Sequence, residues 1–130
     1  MKLAIVDDNK LEQELIFNTL RTYEHERNIS LDISSYSDGN SFLNTYVPGD
    51  FDLIFMDIQM PGLDGYNATA AIRSLDRDDV KQMPIVAMTA NAFAEDINHA
   101  VSAGMNEHIA KPVDMAQLER IMIKYLSRRA

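Results

Sequence analysis

The chain has 130 residues and a formal net charge of -8, from 20 acidic and 12 basic side chains. This length fits one domain over residues 1–130, and the acidic balance disfavours general binding to nucleic-acid phosphates or to an anionic membrane. The absence of cysteine excludes a disulfide scaffold, thiol catalysis and cysteine-ligated zinc, and no apolar run approaches the roughly 18 residues of a membrane span. We also expect no signal peptide, and therefore a soluble, cytoplasmic protein.

Short apolar runs alternate with amphipathic stretches along the chain. The runs predict strands at residues 3–6, 31–36, 51–56, 83–88 and 107–110. The first helical pattern starts at Asn9, with Glu12 three residues later as in a capping box, and its apolar positions are Leu11, Leu15, Ile16, Leu20 and Tyr23. A short helix follows Asp38, and longer ones carry apolar residues at 68–75, 93–101 and 118–126, with Asp114 and Gln117 placed to cap the last.

This alternation predicts a parallel sheet that is covered by helices on both faces. The runs at 3–6, 51–56 and 83–88 are almost continuously apolar, which is typical of central strands, whereas residues 31–34 alternate as an edge strand does. We therefore predict an α/β fold: a single three-layer (βα)5 domain with a five-stranded sheet of order 2-1-3-4-5, as in flavodoxin-like folds. Ligands of such sheets bind beyond the carboxyl ends of the first and third strands, where the strand order reverses.

Acidic residues stand at that point of the predicted sheet. Asp7 and Asp8 follow the first strand, and Asp57 ends the third. Each of them alone is as well explained as an ordinary strand-end acid or a helix cap. Together they would repel strongly, by roughly 4 kcal/mol for each pair at about 4 Å and an effective dielectric of about 20. Such a cluster requires a cation, a raised pKa, or both.

Two further side chains are predicted at the same edge. Thr89 follows the fourth strand, and Lys111 follows the fifth, next to Pro112, where a cis peptide would aim the lysine inward. Taken singly, the threonine reads as a helix cap and the lysine as a surface residue. In combination with three carboxylates, they predict a site for a hard divalent cation such as Mg²⁺. A carboxylate beside that cation, a hydroxyl and an ammonium is a nucleophile suited to accept a phosphoryl group.

Four segments resemble those of the receiver domain of two-component response regulators, and they span nearly the whole chain. They are residues 5–9 (Ile-Val-Asp-Asp-Asn), 55–65 (Phe-Met-Asp-Ile-Gln-Met-Pro-Gly-Leu-Asp-Gly), 88–90 (Met-Thr-Ala) and 103–112, which begins Ala-Gly and ends Lys-Pro. Each segment alone is weak evidence, but their order and spacing are specific. The stretches after residues 88 and 104 are closer to receivers of hybrid sensor kinases than to DNA-binding regulators. A stand-alone receiver and a receiver from a larger regulator or hybrid kinase both remain open.

The resemblance implies roles for the acids. Asp57 corresponds to the aspartate that accepts the phosphoryl group from a phosphohistidine. Asp7 and Asp8 correspond to the acidic pair that holds Mg²⁺, for which Mn²⁺ can substitute. Asp57 and the backbone carbonyl of Gln59 are implied as further ligands. The implied donor is a histidine kinase or a histidine phosphotransfer protein, with no direct contact to nucleic acid or membrane.

The resemblance also implies a switch. Lys111 corresponds to the lysine that pairs with the acceptor and then with the phosphoryl group, and Thr89 to the hydroxyl that moves toward it. The fourth helix, fifth strand and fifth helix are the implied output surface. Gln59 and Asn91 stand where the family tunes the lifetime of the phosphorylated state. His108 stands where the family usually has a tyrosine or phenylalanine that turns inward, so its role as a switch residue is open against that of a half-exposed strand histidine.

Two other functions compete with this interpretation. A Mg²⁺-dependent phosphatase or phosphotransferase would use a second carboxylate two residues after Asp57, where Gln59 stands, and a substrate-binding cap for which the chain has no room. A pseudo-receiver that binds partners without phosphorylation would lack some of the acids or the lysine. We therefore expect a regulatory domain that catalyses only its own phosphorylation and dephosphorylation. The other histidines, His25 and His99, are expected to be solvated on helices.

Overall fold

Strand and helix alternate five times in the computed structural model, which describes residues 1–75, 83–90 and 94–129. The elements in chain order are β1 (Lys2–Val6), α1 (Lys10–Arg27), β2 (Asp32–Tyr36), α2 (Gly39–Thr45), β3 (Leu53–Asp57), α3 (Gly65–Leu75), β4 (Ile85–Thr89), α4 (Ala94–Ala103), β5 (Glu107–Ala110) and α5 (Met115–Arg129). The strands form one parallel sheet of order β2-β1-β3-β4-β5. The predicted fold class and strand order are confirmed. No helix in the described part of the chain is long and apolar enough to cross a membrane.

The two faces of the sheet carry separate apolar clusters. Residues of α1 and α5, including Ile16, Leu20 and Leu118, pack on one face. Residues of α2, α3 and α4, including Phe42 and Ile72, pack on the other. Every residue of β3 and β4 is buried, whereas β2 has the partly exposed pattern of an edge strand. Each fully buried leucine or isoleucine contributes about 1.5–3 kcal/mol, so both clusters hold the sheet and its edges in place.

Two predicted strands begin too early. The runs at 51–56 and 83–88 contain strands that begin at Leu53 and Ile85. Phe51 lies before the strand, and its ring packs in an aromatic group, 5.7 Å from the ring of Phe42 and 6.3 Å from that of Tyr36. Apolar runs therefore mark burial, and the hydrogen-bonded ladder occupies only part of each run.

The predicted helix starts are only partly correct. Asn9 Oδ1 accepts a hydrogen bond from the N–H of Glu12, at 3.1 Å. The second half of the capping box is wrong, because the N–H of Asn9 donates to Asp7 Oδ1 (2.9 Å) rather than to the Glu12 carboxylate. Asp114 caps α5 as predicted. Gln117 does not, because its side-chain amide exchanges two hydrogen bonds with the backbone of Ala110, at 2.8 and 3.1 Å.

The apolar stripe of α1 is wider than the face that packs. Ile16 and Leu20 are fully buried, but Leu11 and Leu15 are 76% and 39% exposed. Hydrophobic periodicity identifies the helix without showing which apolar residues reach the core. His99 is exposed as predicted, yet its ring stacks on that of Tyr66 with 3.8 Å between the ring centres, so α4 contacts α3 there.

Candidate functional site

Three carboxylates meet at the edge where β1 and β3 end. Asp57 is the last residue of β3, and Asp7 and Asp8 follow β1; one oxygen from each lies within 4.8 Å of the others. Asp7 and Asp57 are 0% and 3% exposed, whereas Asp8 is exposed. The register of β1 with β3 pairs Val6 with Met56, so the strands end in step and bring the acids together. The site therefore has a buried floor and one side open to solvent.

Lys111 reaches the same point from the end of β5. Its Nζ lies 2.9 Å from Asp7 Oδ2 and 3.3 Å from Asp57 Oδ2, so the ammonium bridges the two buried acids. The Lys111–Pro112 peptide bond is cis. The N–H of Lys111 donates to the carbonyl of Thr89 at 2.8 Å, which ties the end of β5 to the end of β4. When all three carboxylates are ionised, one ammonium cannot balance them, and the site has an excess of negative charge.

Asp57 has a strongly shifted pKa. Burial raises the pKa of its carboxyl to about 7, and repulsion from Asp7 acts in the same direction. The N–H of Gln59, which donates to Asp57 Oδ1 at 3.2 Å, and the charge of Lys111 oppose the rise. For Lys111, burial alone would lower the pKa, but its hydrogen bond with Asp7 and the two carboxylate charges raise it above the usual value. The ionised carboxylates of this cluster thus carry more negative charge than Lys111 can offset.

The turn after Asp57 packs against the end of β3. A Cβ atom on Gly65 would lie 2.3 Å from the carbonyl oxygen of Asp57, so only glycine fits at the first residue of α3. The N–H of Gly65 donates to the carbonyl of Ile58 at 3.4 Å, and the N–H of Ile58 donates to the carbonyl of Met88 at 3.2 Å. These contacts hold the 58–64 turn close over the edge of the sheet.

The other predicted residues lie in different environments. Thr89, at the end of β4, is 3% exposed and shares the edge with Lys111. His108 is half-buried on β5, and its carbonyl accepts a hydrogen bond from Arg120 of α5 at 3.4 Å. Gln59 is exposed. Asn91 lies outside the described residues.

Gln13 is a neighbour of the site that the sequence motifs did not identify. Its side-chain amide donates to the carbonyl of Asp7 and, at 3.0 Å, to that of Tyr36. A signal for it exists in the sequence, because Gln13 precedes Ile16 by three positions and Leu20 by seven on the buried side of α1. A polar residue on that side, close to the acidic pair, indicates a contact with the strand ends.

The donor set fits a hard divalent cation. The candidate ligand atoms are carboxylate oxygens, which Mg²⁺ prefers, with no nitrogen or sulfur among them. The exposed side at Asp8 suits Mg²⁺ because this ion usually keeps several of its waters. Asp7, Asp8 and Asp57 are the residues that would hold it.

Residues 3–123 match the family model of the response regulator receiver domain. This chain belongs to that family. It is a receiver domain of two-component signalling, with the fold, the strand order and the clustered acids described above.

Similar receiver sequences occur within much longer proteins. Transcription factor SKN7 of Saccharomyces cerevisiae is 36% identical over 127 residues, which are 98% of this chain and 19% of that protein. Sensor protein GacS of Pseudomonas syringae pv. syringae is 31% identical over 125 residues, 95% of this chain and 13% of that protein. The chain thus spans less than a fifth of the length of these two relatives.

Solved receiver domains have the same fold. The receiver domain of a sensor histidine kinase from Pseudomonas aeruginosa PAO1, with a magnesium ion coordinated in its active-site cleft, superimposes with a TM-score of 0.80 at 32% identity and 97% coverage of both chains. The receiver domain of Ssk1 from Saccharomyces cerevisiae, crystallised with the histidine phosphotransfer protein Ypd1, gives a TM-score of 0.82 at 27% identity, covering 96% of this chain and 88% of that one.

Proposed function

We propose that residues 1–130 form one receiver domain that accepts a phosphoryl group on Asp57. The observation that carries this proposal is the buried Asp57 carboxylate, with the ammonium of Lys111 3.3 Å away and two more acids beside it. An Asp57 oxygen attacks the phosphorus of a phosphohistidine, the new O–P bond forms, and the P–N bond breaks. The imidazole leaves with the electron pair of that bond, and an acyl phosphate remains on Asp57.

The acids of the edge are proposed as the metal site. Asp7, Asp8 and Asp57, with the backbone carbonyl of Gln59, would hold Mg²⁺, and Mn²⁺ would fit the same oxygen ligands. The bound cation supplies positive charge against the carboxylates and the incoming phosphoryl oxygens. Support comes from the magnesium ion in the cleft of the Pseudomonas aeruginosa receiver. Burial of Asp7 and Asp57 keeps water away from the floor of the site, while the exposed Asp8 leaves an entrance for the phosphoryl donor.

Lys111 and Thr89 are proposed to convert phosphorylation into movement. The new group adds roughly -1.5 to -2 charges at the sheet edge. Lys111 Nζ exchanges its contacts with the two carboxylates for phosphoryl oxygens, and the hydroxyl of Thr89 is drawn toward them. Because Thr89 is joined to Lys111 through a 2.8 Å backbone hydrogen bond, the ends of β4 and β5 shift together. The surface formed by α4, β5 and α5 changes as a result, and His108 occupies the position of the ring that turns on activation.

The relatives support a proposal for the phosphoryl donor. We propose a histidine kinase or a histidine phosphotransfer protein as the donor, since Ssk1 was crystallised with such a protein and GacS is a sensor protein. The output partner binds the α4–β5–α5 surface. The domain acts in the cytoplasm as a regulatory phosphoacceptor, without binding nucleic acid or membrane itself. Gln59 and Asn91 are proposed to set the lifetime of the acyl phosphate, by changing how readily water attacks it.

Intact mass spectrometry tests the central step. The protein is incubated with Mg²⁺ and a small phosphodonor such as acetyl phosphate, in parallel with Asp57→Asn and with a sample containing excess chelator. We expect one added phosphoryl group on the wild type and none in the other two samples. Equal labelling of Asp57→Asn would overturn the assignment. Continuous phosphate release from unrelated phosphate esters would favour an enzyme instead.

A further inference from the structure

Gln13 connects α1 to the ends of two strands. Its Nε2 donates to the carbonyl of Asp7 and, at 3.0 Å, to the carbonyl of Tyr36. Both contacted atoms are acceptors, so the amide must present its NH₂ end to them, because its oxygen would be repelled. The half-buried Gln13 side chain therefore has one defined orientation at the edge of the sheet.

The same Tyr36 carbonyl holds both ends of the Asp7 backbone unit. It accepts directly from the N–H of Asp7 at 3.0 Å, and the Gln13 amide links it to the carbonyl of Asp7. Rotation about the Cα–C bond of Asp7 turns the peptide that leads to Asp8 and so moves the Asp8 side chain. The Asp7 N–H donates to the Tyr36 carbonyl, and the Gln13 amide holds the Asp7 carbonyl next to the same group. This rotation is therefore restricted.

The side chain of Tyr36 is held in place by aromatic packing. Its ring packs edge-on against the ring of Phe42, with 5.0 Å between centres, and against that of Phe51 at 6.3 Å. Phe42 and Phe51 are themselves 5.7 Å apart, which completes an aromatic group under the end of β2. The Tyr36 carbonyl thus belongs to a well-packed part of the molecule, whereas Asp8 is exposed.

We propose that Gln13 is a positioning residue for the metal site. It acts through the peptide between Asp7 and Asp8 and holds the exposed Asp8 carboxylate beside the buried ones before the cation arrives. The inference rests on the proposed magnesium site. Groups that orient metal ligands without touching the metal typically change its affinity by about 10- to 100-fold when they are removed.

The experiment compares Mg²⁺ affinities of purified variants, measured by amide chemical shifts during titration, since the protein has no tryptophan. Gln13→Met keeps the shape of the side chain but removes its donors, and Gln13→Asn keeps the amide but shortens its reach. We expect both to bind Mg²⁺ about tenfold more weakly. Asn18→Met makes the same kind of change at an exposed position of α1 and is expected to bind as the wild type does.

A second control separates positioning from loss of stability. Ile121→Val removes one buried methylene from the apolar cluster between α5 and the sheet and is expected to lower the melting temperature. Faster hydrogen exchange of the Asp8 and Asn9 amides in chelator is expected for Gln13→Met alone. Mg²⁺ binding by Gln13→Met within twofold of the wild type, or equal weakening by Ile121→Val, would overturn the positioning role. Absence of Mg²⁺ binding by the wild type would instead overturn the proposed metal site.

Discussion

The ammonium of Lys111 lies closer to Asp7 than to the proposed acceptor: Nζ is 2.9 Å from Asp7 Oδ2 and 3.3 Å from Asp57 Oδ2. Lys111 is thus a counter-ion for the whole buried pair. Since both acids are almost fully buried, its charge offsets a repulsion that water cannot screen there.

Removal of that ammonium is therefore expected to destabilise the metal-free domain. Lys111→Met should lower the free energy of unfolding by about 3 kcal/mol at pH 8 in chelator, because it leaves buried carboxylates without their cation. Adding Asp57→Asn to Lys111→Met should recover part of the loss, since one of the repelling charges is gone. Urea unfolding of the two single variants and the double variant measures this coupling. Strictly additive effects would contradict a shared electrostatic origin.

Magnesium is expected to stabilise the folded domain. A cation that binds only the folded state adds about 2.7 kcal/mol when its concentration is a hundred times the dissociation constant. Thermal unfolding with and without Mg²⁺ measures the shift, and Asp8→Asn should reduce it because that variant removes one carboxylate of the cluster. Sodium chloride of equal ionic strength is the control. A shift that salt alone reproduces would argue against a specific site.

Gly65 is predicted to be intolerant of a side chain. Gly65→Ala should cost about 2 kcal/mol or more, because the new methyl group would lie 2.3 Å from the carbonyl of Asp57 and push β3 away from the turn. Gly49→Ala is the matched comparison, since Gly49 has a positive φ of 95° but open space around its Cβ position. We expect Gly49→Ala to cost about 1 kcal/mol through backbone strain alone. Equal losses for the two, measured by urea unfolding, would show that the close contact at Gly65 relaxes freely.

The carboxylate of Glu107 supplies a pH-dependent part of the stability. It pairs with Lys124 and, at 3.6 Å, with Arg120, and it accepts a hydrogen bond from the Tyr125 hydroxyl at 3.2 Å. Burial alone would raise its pKa, but these α5 partners outweigh burial and hold the pKa below the usual 4.5.

Because the folded-state pKa of Glu107 is the lower one, its contribution is complete above about pH 5 and is lost as the pH falls through the folded value. Glu107→Gln should therefore cost about 1 kcal/mol at pH 7 and less at pH 3. Chemical unfolding at the two pH values tests this. A cost that stays the same at pH 3 would assign the effect to packing instead of charge.

Thr69 offers a test in the opposite direction. Its side chain is fully buried in α3, and within the described part of the chain its hydroxyl has no hydrogen-bond partner. Thr69→Val replaces the hydroxyl with a methyl group of similar size and should raise the free energy of unfolding by about 1 kcal/mol. Thr69→Ser, which keeps the hydroxyl and deletes the methyl group, should lower it. Destabilisation by Thr69→Val would mean that the hydroxyl has a favourable interaction after all.

The sequence predicted the sheet because burial leaves a direct trace in it. The unbroken apolar runs around Ile54 and Val86 distinguish central strands from the alternating one at Ile33, and the strand order 2-1-3-4-5 satisfies that difference. The predicted strand starts were less accurate, because Phe51 packs its ring against other aromatic residues and lies outside the hydrogen-bonded ladder.

The acids of the site were predictable for the same reason, because strand order brings the residues after each strand to one edge. The role of Gln13 was not, because its place on the buried side of α1 indicates a contact with the strand ends without showing which backbone carbonyls the amide reaches. The exposure of Leu11 was also unpredictable, because it depends on how α1 is rotated against the sheet. His108 is half-buried, and its role as a switch residue stays a prediction.

The common register of the strand ends makes function and folding inseparable in this molecule. Val6 pairs with Met56, Asp57 with Met88, and Thr89 with Ala110. Moving β3 by one residue would send each of its side chains to the opposite face, so Asp57 would leave its neighbours at the same moment that Phe55 left its apolar cluster. A chain whose sheet has assembled in the wrong register therefore also lacks the cluster of acids that the proposed phosphorylation requires. Only correctly folded chains are expected to be phosphorylated.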